Sequence, residues 1–271
     1  MFRVVLATLL SLVSVTFGVM AKEVTVSGST SVSRIMDVLA EEFNATSDSA
    51  YIAVQGIGST AGITMVKKGV SEIGMSSRYL TEAEYNEGLT ALTIAYDGLA
   101  VVTNHSNPID DVSRQQLYNI YKGSINNWKQ LGGADLEIAV VTREQSSGSR
   151  SSFESLLGLT RIINNRLVSD INATNLVVSS NSMVKALVNH NPQAIGFVSE
   201  GSVDNSVKEL KFEGVKATMD NIAAKKYQLS RPFILLYKND GLTDSGKAFI
   251  EFIKSPRAKE LIQQYGYVPT L

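Results

Sequence analysis

Cysteine is absent from this 271-residue chain, which excludes disulfide cross-links and thiol nucleophiles and leaves stability to core burial. Histidine occurs only twice, as His105 in "TNHSNP" and His190 in "VNHNPQ". Metal centres built from imidazoles are therefore not expected, and both residues read as exposed loop positions. Charge of either sign is not in excess. A formal net charge of −1 gives no whole-chain attraction for nucleic acid or an anionic membrane surface, so preference for a charged ligand must come from local groups. Tandem repeats and low-complexity segments are also missing.

What is present is ordinary globular composition, 44% hydrophobic and 19% charged, enough for one large domain or two small ones. The first residues carry Arg3, then the apolar stretch "VVLATLLSLVSVTFGVM", then small residues at Val19 and Ala21. This is the pattern of a secretory signal peptide over residues 1–21, cleaved after Ala21. With no cysteine to receive a lipid, a soluble periplasmic protein is expected.

Three segments repeat one arrangement. In "EVTVSGSTSVSRIMDVLAEEF", a short alternating strand reaches a Gly/Ser/Thr turn and then a helix with Val32, Ile35, Met36, Leu39 and Phe43 at helical spacing. "YIAVQGIGSTAGITMVKKG" and "EIAVVTREQSSGSRSSFESLLG" do the same, the latter with Phe153, Leu156 and Leu157 on its helix. Strands alternating with helices point to an α/β architecture with mostly parallel sheets, whose ligands sit outside the carboxyl ends of strands. Two long apolar strand candidates, "LTIAYDGLAVVTN" and "QLSRPFILLYKND", read as segments crossing between two lobes. The division expected is 22–98 for the first part of lobe I, 99–231 for lobe II, and 232–271 for the return to lobe I. In the tail, Phe249, Phe252 and Ile253 face inward from one helix, Pro256 starts another and Gly266 ends it. Trp128 and the Tyr118/Tyr121 pair read as packing around the second lobe.

The turns have a shared chemistry. The first N–H groups of a helix lack intrahelical partners and lie at the positive end of its dipole, so helix starts attract anions. Thr30, Ser31, Ser59, Thr60, Ser147 and Ser149 add hydroxyl donors, Arg143 adds a planar fork, and "SEIGMSSRYL" adds Ser76, Ser77 and Arg78. Ser and Thr are also ordinary helix caps. Caps alone do not explain consecutive small hydroxyls and glycines in turns whose only acid is Glu144.

Enzyme signatures fit less well. Gly56-x-Gly58-x-x-Ala61 matches a dinucleotide fingerprint, but the next strand ends in serines and Arg78 rather than in the acid that would grip a ribose. "GLTDSGKA", Gly241 to Ala248, nearly matches a phosphate-binding P-loop, but Ala248 replaces the hydroxyl that would hold magnesium, and a capped helix start is expected. No nucleophile elbow frames Ser59 or Ser147.

Taken with "IAYDGLAVVTN", "LYNIYKGSINNWKQLGG", "AIGFVS", "RPFILLYK" and "GKAFIEFIKSPRAKELIQQYGYVP", these turns resemble the substrate-binding proteins of phosphate ABC transporters, of the shorter periplasmic type. The likeness spans nearly all of the chain after residue 21. It implies a type II-like periplasmic binding protein fold: two mostly parallel sheets flanked by helices, joined by crossing strands, with the anion held as the lobes close. Carried over by position, the family's ligands fall on Thr30, Ser31, Ser59, Arg143, Ser147, Gly148 and Ser149. Where some members place an aspartate that accepts a proton from hydrogen phosphate, this chain has Ser77, so phosphate over other tetrahedral oxyanions is less firmly implied than oxyanion binding. The resemblance implies inorganic phosphate and an inner-membrane ABC permease as partners, no cofactor, metal or nucleic acid, a monomer, and no bond made or broken.

Overall fold

The computed structural model describes residues 22–47, 50–85, 88–164 and 166–270; the signal peptide expected over residues 1–21 lies outside them. The described residues begin with β1 (Lys22–Gly28), α1 (Thr30–Thr46), β2 (Ala50–Gly56), α2 (Ser59–Lys67), β3 (Ile73–Ser76) and the short α3 (Glu82–Tyr85). The long β4 (Thr90–Thr103) leads to β5 (Asp111–Val112), α4 (Arg114–Lys122), β6 (Ala139–Arg143) and α5 (Gly148–Leu157). A hairpin of β7 (Thr160–Ile163) and β8 (Arg166–Ser169) precedes β9 (Leu176–Val178), α6 (Asn181–His190), β10 (Ala194–Ser199), β11 (Lys208–Phe212) and α7 (Met219–Ala223). β12 (Ser230–Tyr237), α8 (Asp244–Ile253), α9 (Pro256–Gln264) and β13 (Val268–Pro269) come last.

The local signals act as chemistry requires. Ser29 caps α1 by accepting from the N–H groups of Ser31 and Val32, and the apolar face of that helix buries Val32, Ile35, Met36 and Leu39. Pro256 opens α9, and Thr243 caps α8 within "GLTDSGKA", so that segment is a capped helix start. His105 is exposed in a turn, whereas His190 ends α6 and is no loop residue: its ring bonds the Ala186 carbonyl one turn back.

Parallel pairing links β2, β1 and β3, and likewise β10, β6 and β9. Between these groups lies a departure from the two separate sheets expected. β4 is 14 residues long; its stretch Thr90–Gly98 pairs with β12, while Leu99–Thr103 pairs with β10. Hydrogen bonds therefore run unbroken through one eleven-stranded sheet, in the order β2-β1-β3-β12-β4-β10-β6-β9 along its main path. The pairings of β12 with β3 and β4, and of β10, β11 and β13 with β4, are antiparallel, so the sheet is mixed. The reason is topological: the chain leaves along β4 and returns along β12, so those neighbours must run in opposite directions.

Two large apolar clusters flank this handover. One gathers Val24 to Ala95 with Phe233 to Tyr267, and the other gathers residues between Leu99 and Leu229. In the second, Phe153 of α5 stacks on Phe197 of β10 at 4.0 Å, and Tyr121 of α4 meets it edge-on at 4.5 Å. Trp128 is buried in the same cluster and donates its indole N–H to the Gln193 carbonyl at 2.9 Å. Phe153→Ala should lower unfolding free energy by about 3–5 kcal/mol, seen as a lower urea midpoint; a shift under about 1 kcal/mol would show that this stack is not a central support.

Candidate functional site

The starts of α1, α2 and α5 meet at one place. Ser31 Oγ lies 3.1 Å from Ser149 Oγ, the Thr60 N–H donates to the Ser146 carbonyl at 3.1 Å, and Ser152 Oγ donates to the Ser77 carbonyl at 3.0 Å. These bonds join one side of the cleft to the other. The glycines in "QGIGSTAG" serve the same approach. Gly58 sits at φ +92°, and a Cβ there would lie 2.6 Å from Ser146 Oγ. A Cβ on Gly148 would lie 2.2 Å from Ser59 Oγ and 2.5 Å from Ser77 Oγ. The turn that resembles a dinucleotide fingerprint thus makes close contact with the opposing loop.

A hydroxyl offers one proton and two lone pairs, and the surroundings decide which faces a ligand. Fixed donors approach the oxygens here. Asn181 Nδ2 donates to Ser31 Oγ (3.1 Å), an Arg231 guanidinium N–H to Ser149 Oγ (2.7 Å), an Arg143 guanidinium N–H to Thr30 Oγ1 (3.0 Å), and the Ser77 N–H to Ser59 Oγ (3.1 Å). Ser29 Oγ accepts two backbone N–H groups and gives its own proton to Ser77 Oγ at 2.9 Å. Each of these donors turns a hydroxyl proton away from itself. A tetrahedral oxyanion placed among them would meet protons, three helix starts and two cations.

The cations are held firmly. Arg143 ends β6 fully buried; its Nε donates to Glu144 Oε2 at 2.9 Å and its Nη2 to Glu144 Oε1 at 3.1 Å and the Ser179 carbonyl at 2.9 Å. Arg231, also buried, donates from Nε and Nη2 to Asp97 Oδ2 at 3.0 and 2.9 Å. Burial pushes Asp97 above the usual carboxylate range, and the Arg231 guanidinium opposes it. The Glu144 and Asp97 carboxylates are thus already committed to guanidinium groups.

The PBP superfamily domain pattern matches residues 19–257. The chain belongs to that superfamily, among its phosphate-binding proteins. Phosphate-binding protein PstS of Borreliella burgdorferi is 30% identical over 251 residues, covering 91% of this chain and 90% of that protein. An ABC-type phosphate transport receptor from Vibrio cholerae shares 59% identity at TM-score 0.78, over 92% of this chain and 100% of the other. A phosphate ABC transporter substrate-binding protein from Clostridium perfringens, solved with bound phosphate, shares 40% identity at TM-score 0.86 with the same coverage.

In this member of the family, the residues singled out from sequence fall as follows. Thr30 and Ser31 open α1, Ser59 opens α2, Ser77 follows β3, and Gly148 and Ser149 open α5. Ser147 caps α5 by accepting from the Arg150 N–H. Arg78 is turned to Glu84 by two bonds of 2.8 and 2.9 Å, so it serves α3 first. Ser29, Asn181, Arg231 and Asp97 join the site in addition to these residues. For the last two a signal existed: each is a lone charge in an apolar crossing strand, and opposite lone charges in such strands are expected to pair.

Gly148→Ala should keep both cores intact, with a thermal midpoint near that of the natural chain, while holding Ser59 and Ser77 away from α5. Small-angle scattering in phosphate should then give a larger radius of gyration than the natural chain, and identical profiles would refute the wedge. Glu200, after β10, has Oε2 buried without a hydrogen-bond partner among the described residues. Burial, with the Glu209 and Asp97 carboxylates nearby, pushes it from 4.5 up to about 8. The unfolded chain therefore releases this proton first as pH rises, and the native state loses stability between about pH 4.5 and 8. Glu200→Gln should leave stability near pH 4.5 almost unchanged and raise it at pH 8 by on the order of 1–4 kcal/mol. Equal gains in urea unfolding at both pH values would contradict this.

Proposed function

We propose that the chain is a receptor that binds inorganic phosphate in the periplasm and delivers it to an ABC-type importer in the inner membrane. The observation that carries this reading is the set of hydroxyls at three helix starts, backed by N–H donors and flanked by Arg143 and Arg231. Similar proteins named for phosphate binding or phosphate transport, one of them solved with bound phosphate, support the same ligand. Thr30, Ser31, Ser59, Ser77, Arg143, Ser147, Gly148 and Ser149 are the proposed ligand set. Residues 22–98 and 232–271 form one lobe and 99–231 the other, and the anion draws them together. Residues 1–21 direct export and are removed. The mature chain acts as a monomer without cofactor or metal, presenting closed lobes to the permease. It makes and breaks no bond.

One feature favours a broader oxyanion preference as the second reading. Ser77 stands where some relatives place an aspartate, and Asp97 and Glu144 are filled by guanidinium groups. A site whose Asp97 and Glu144 are both paired with guanidinium groups discriminates poorly against a fully ionised anion. Isothermal titration with phosphate, sulfate and molybdate separates the readings; equal affinity for phosphate and sulfate at neutral pH would establish the broader one. Truncating one side of a buried charge pair costs about 2–5 kcal/mol. Arg143→Ala should therefore weaken phosphate binding by about 30-fold to a few thousand-fold, and Arg143→Lys should restore only part, since an ammonium lacks the fork. Affinity of Arg143→Ala within about twofold of the natural chain would refute the proposed site.

A further inference from the structure

Arg231 is the second residue of β12, and only 1% of it is exposed. Asp97 Oδ2 takes its Nε and Nη2, while Asp97 Oδ1 accepts from Ser199 Oγ at 3.0 Å and the Glu200 N–H at 3.2 Å. That leaves Nη1, which reaches across to Ser149 Oγ at 2.7 Å. Arg143 differs, since it also donates to the backbone carbonyls of Val178 and Ser179. The Arg231 arm ends on a hydroxyl of the proposed ligand set. Arg231 also lines a cavity of about 360 Å³ with Thr60, Ser152 and Leu167, residues from both sides of the cleft.

We propose that Arg231 is a positioning residue for the bound anion: from its anchor on Asp97 it occupies one lone pair of Ser149 Oγ and turns that hydroxyl's proton onto the ligand. The inference rests on the oxyanion reading of the cleft. Its physical basis is that a hydroxyl accepting from a cation is a better donor than one accepting from a neutral group, and that its orientation is fixed before the ligand arrives. The bonds also run in series. Anion, Ser149, Arg231, Asp97, and then Ser199 with the Glu200 N–H connect the start of α5 to the strands that cross between the two cores.

The test is a double-mutant cycle read by phosphate titration, with Arg231→Lys and the charge-neutral pair Asp97→Asn/Arg231→Gln each measured in the natural chain and in Ser149→Ala. Removing both members of the pair avoids stranding a buried charge. With Ser149 present, Arg231→Lys should weaken binding about 3- to 10-fold, and the neutral pair about 10- to 100-fold. With Ser149→Ala already in place, either change should cost less than about twofold more. A purely structural ion pair would lower thermal stability while giving equal fold-changes in both backgrounds, and that additivity overturns the proposal. If the neutral pair does not fold, Arg231→Lys, which keeps the charge, decides alone. A natural chain that binds neither phosphate nor sulfate overturns the oxyanion reading and this role together, whereas binding with additive effects overturns only this role.

Discussion

The anchoring of Arg143 is the constraint on which the cleft depends. Its guanidinium is fixed by the Glu144 carboxylate and the Val178 and Ser179 carbonyls, and it reaches Thr30 at the start of α1. One side chain thus ties β6, β9 and α1 to a single point. Because it is buried, its charge cannot be screened by solvent, and hydroxyls around it adopt orientations that suit a cation and an incoming anion. The asparagine at the start of α6 follows that field, its Oδ1 toward Arg143 and the Ser199 N–H and its Nδ2 toward Ser31.

Much of the architecture was legible from sequence because local rules agreed with the global fold. Caps at Ser29, Thr243 and Ser255, the apolar spacing of α1, and glycine-rich exits from β1, β2 and β6 each specify a strand-to-helix turn. The ligand hydroxyls were legible for the same reason, since they occupy those turns. Joining of the sheets through β4 was not. Strand pairing is a long-range property, and "LTIAYDGLAVVTN" reads as apolar on both sides of Gly98 whichever partner it finds.

Arg231 and Asp97 escaped for a related reason. They lie 134 positions apart, and neither stands in a strand-to-helix turn of the kind that carries the other site residues. Ser147 shows the opposite case: it stands in the right turn, but its oxygen caps α5, so one signal fits both a structural and a ligand role.

The handover along β4 constrains how the two halves of the molecule vary together. Side chains alternate faces with period two along a strand, so inserting or deleting one residue near Gly98 would invert inside and outside for everything beyond it. Leu99 to Val102, buried without exposure, leave no side of the strand that tolerates inversion. The same slip would carry Asp97 off Arg231, and β10 and β11 would lose register with β4. Each core can accept substitutions by itself, but length across this strand is held in common, so the two halves share one reading frame in space as they do in the gene.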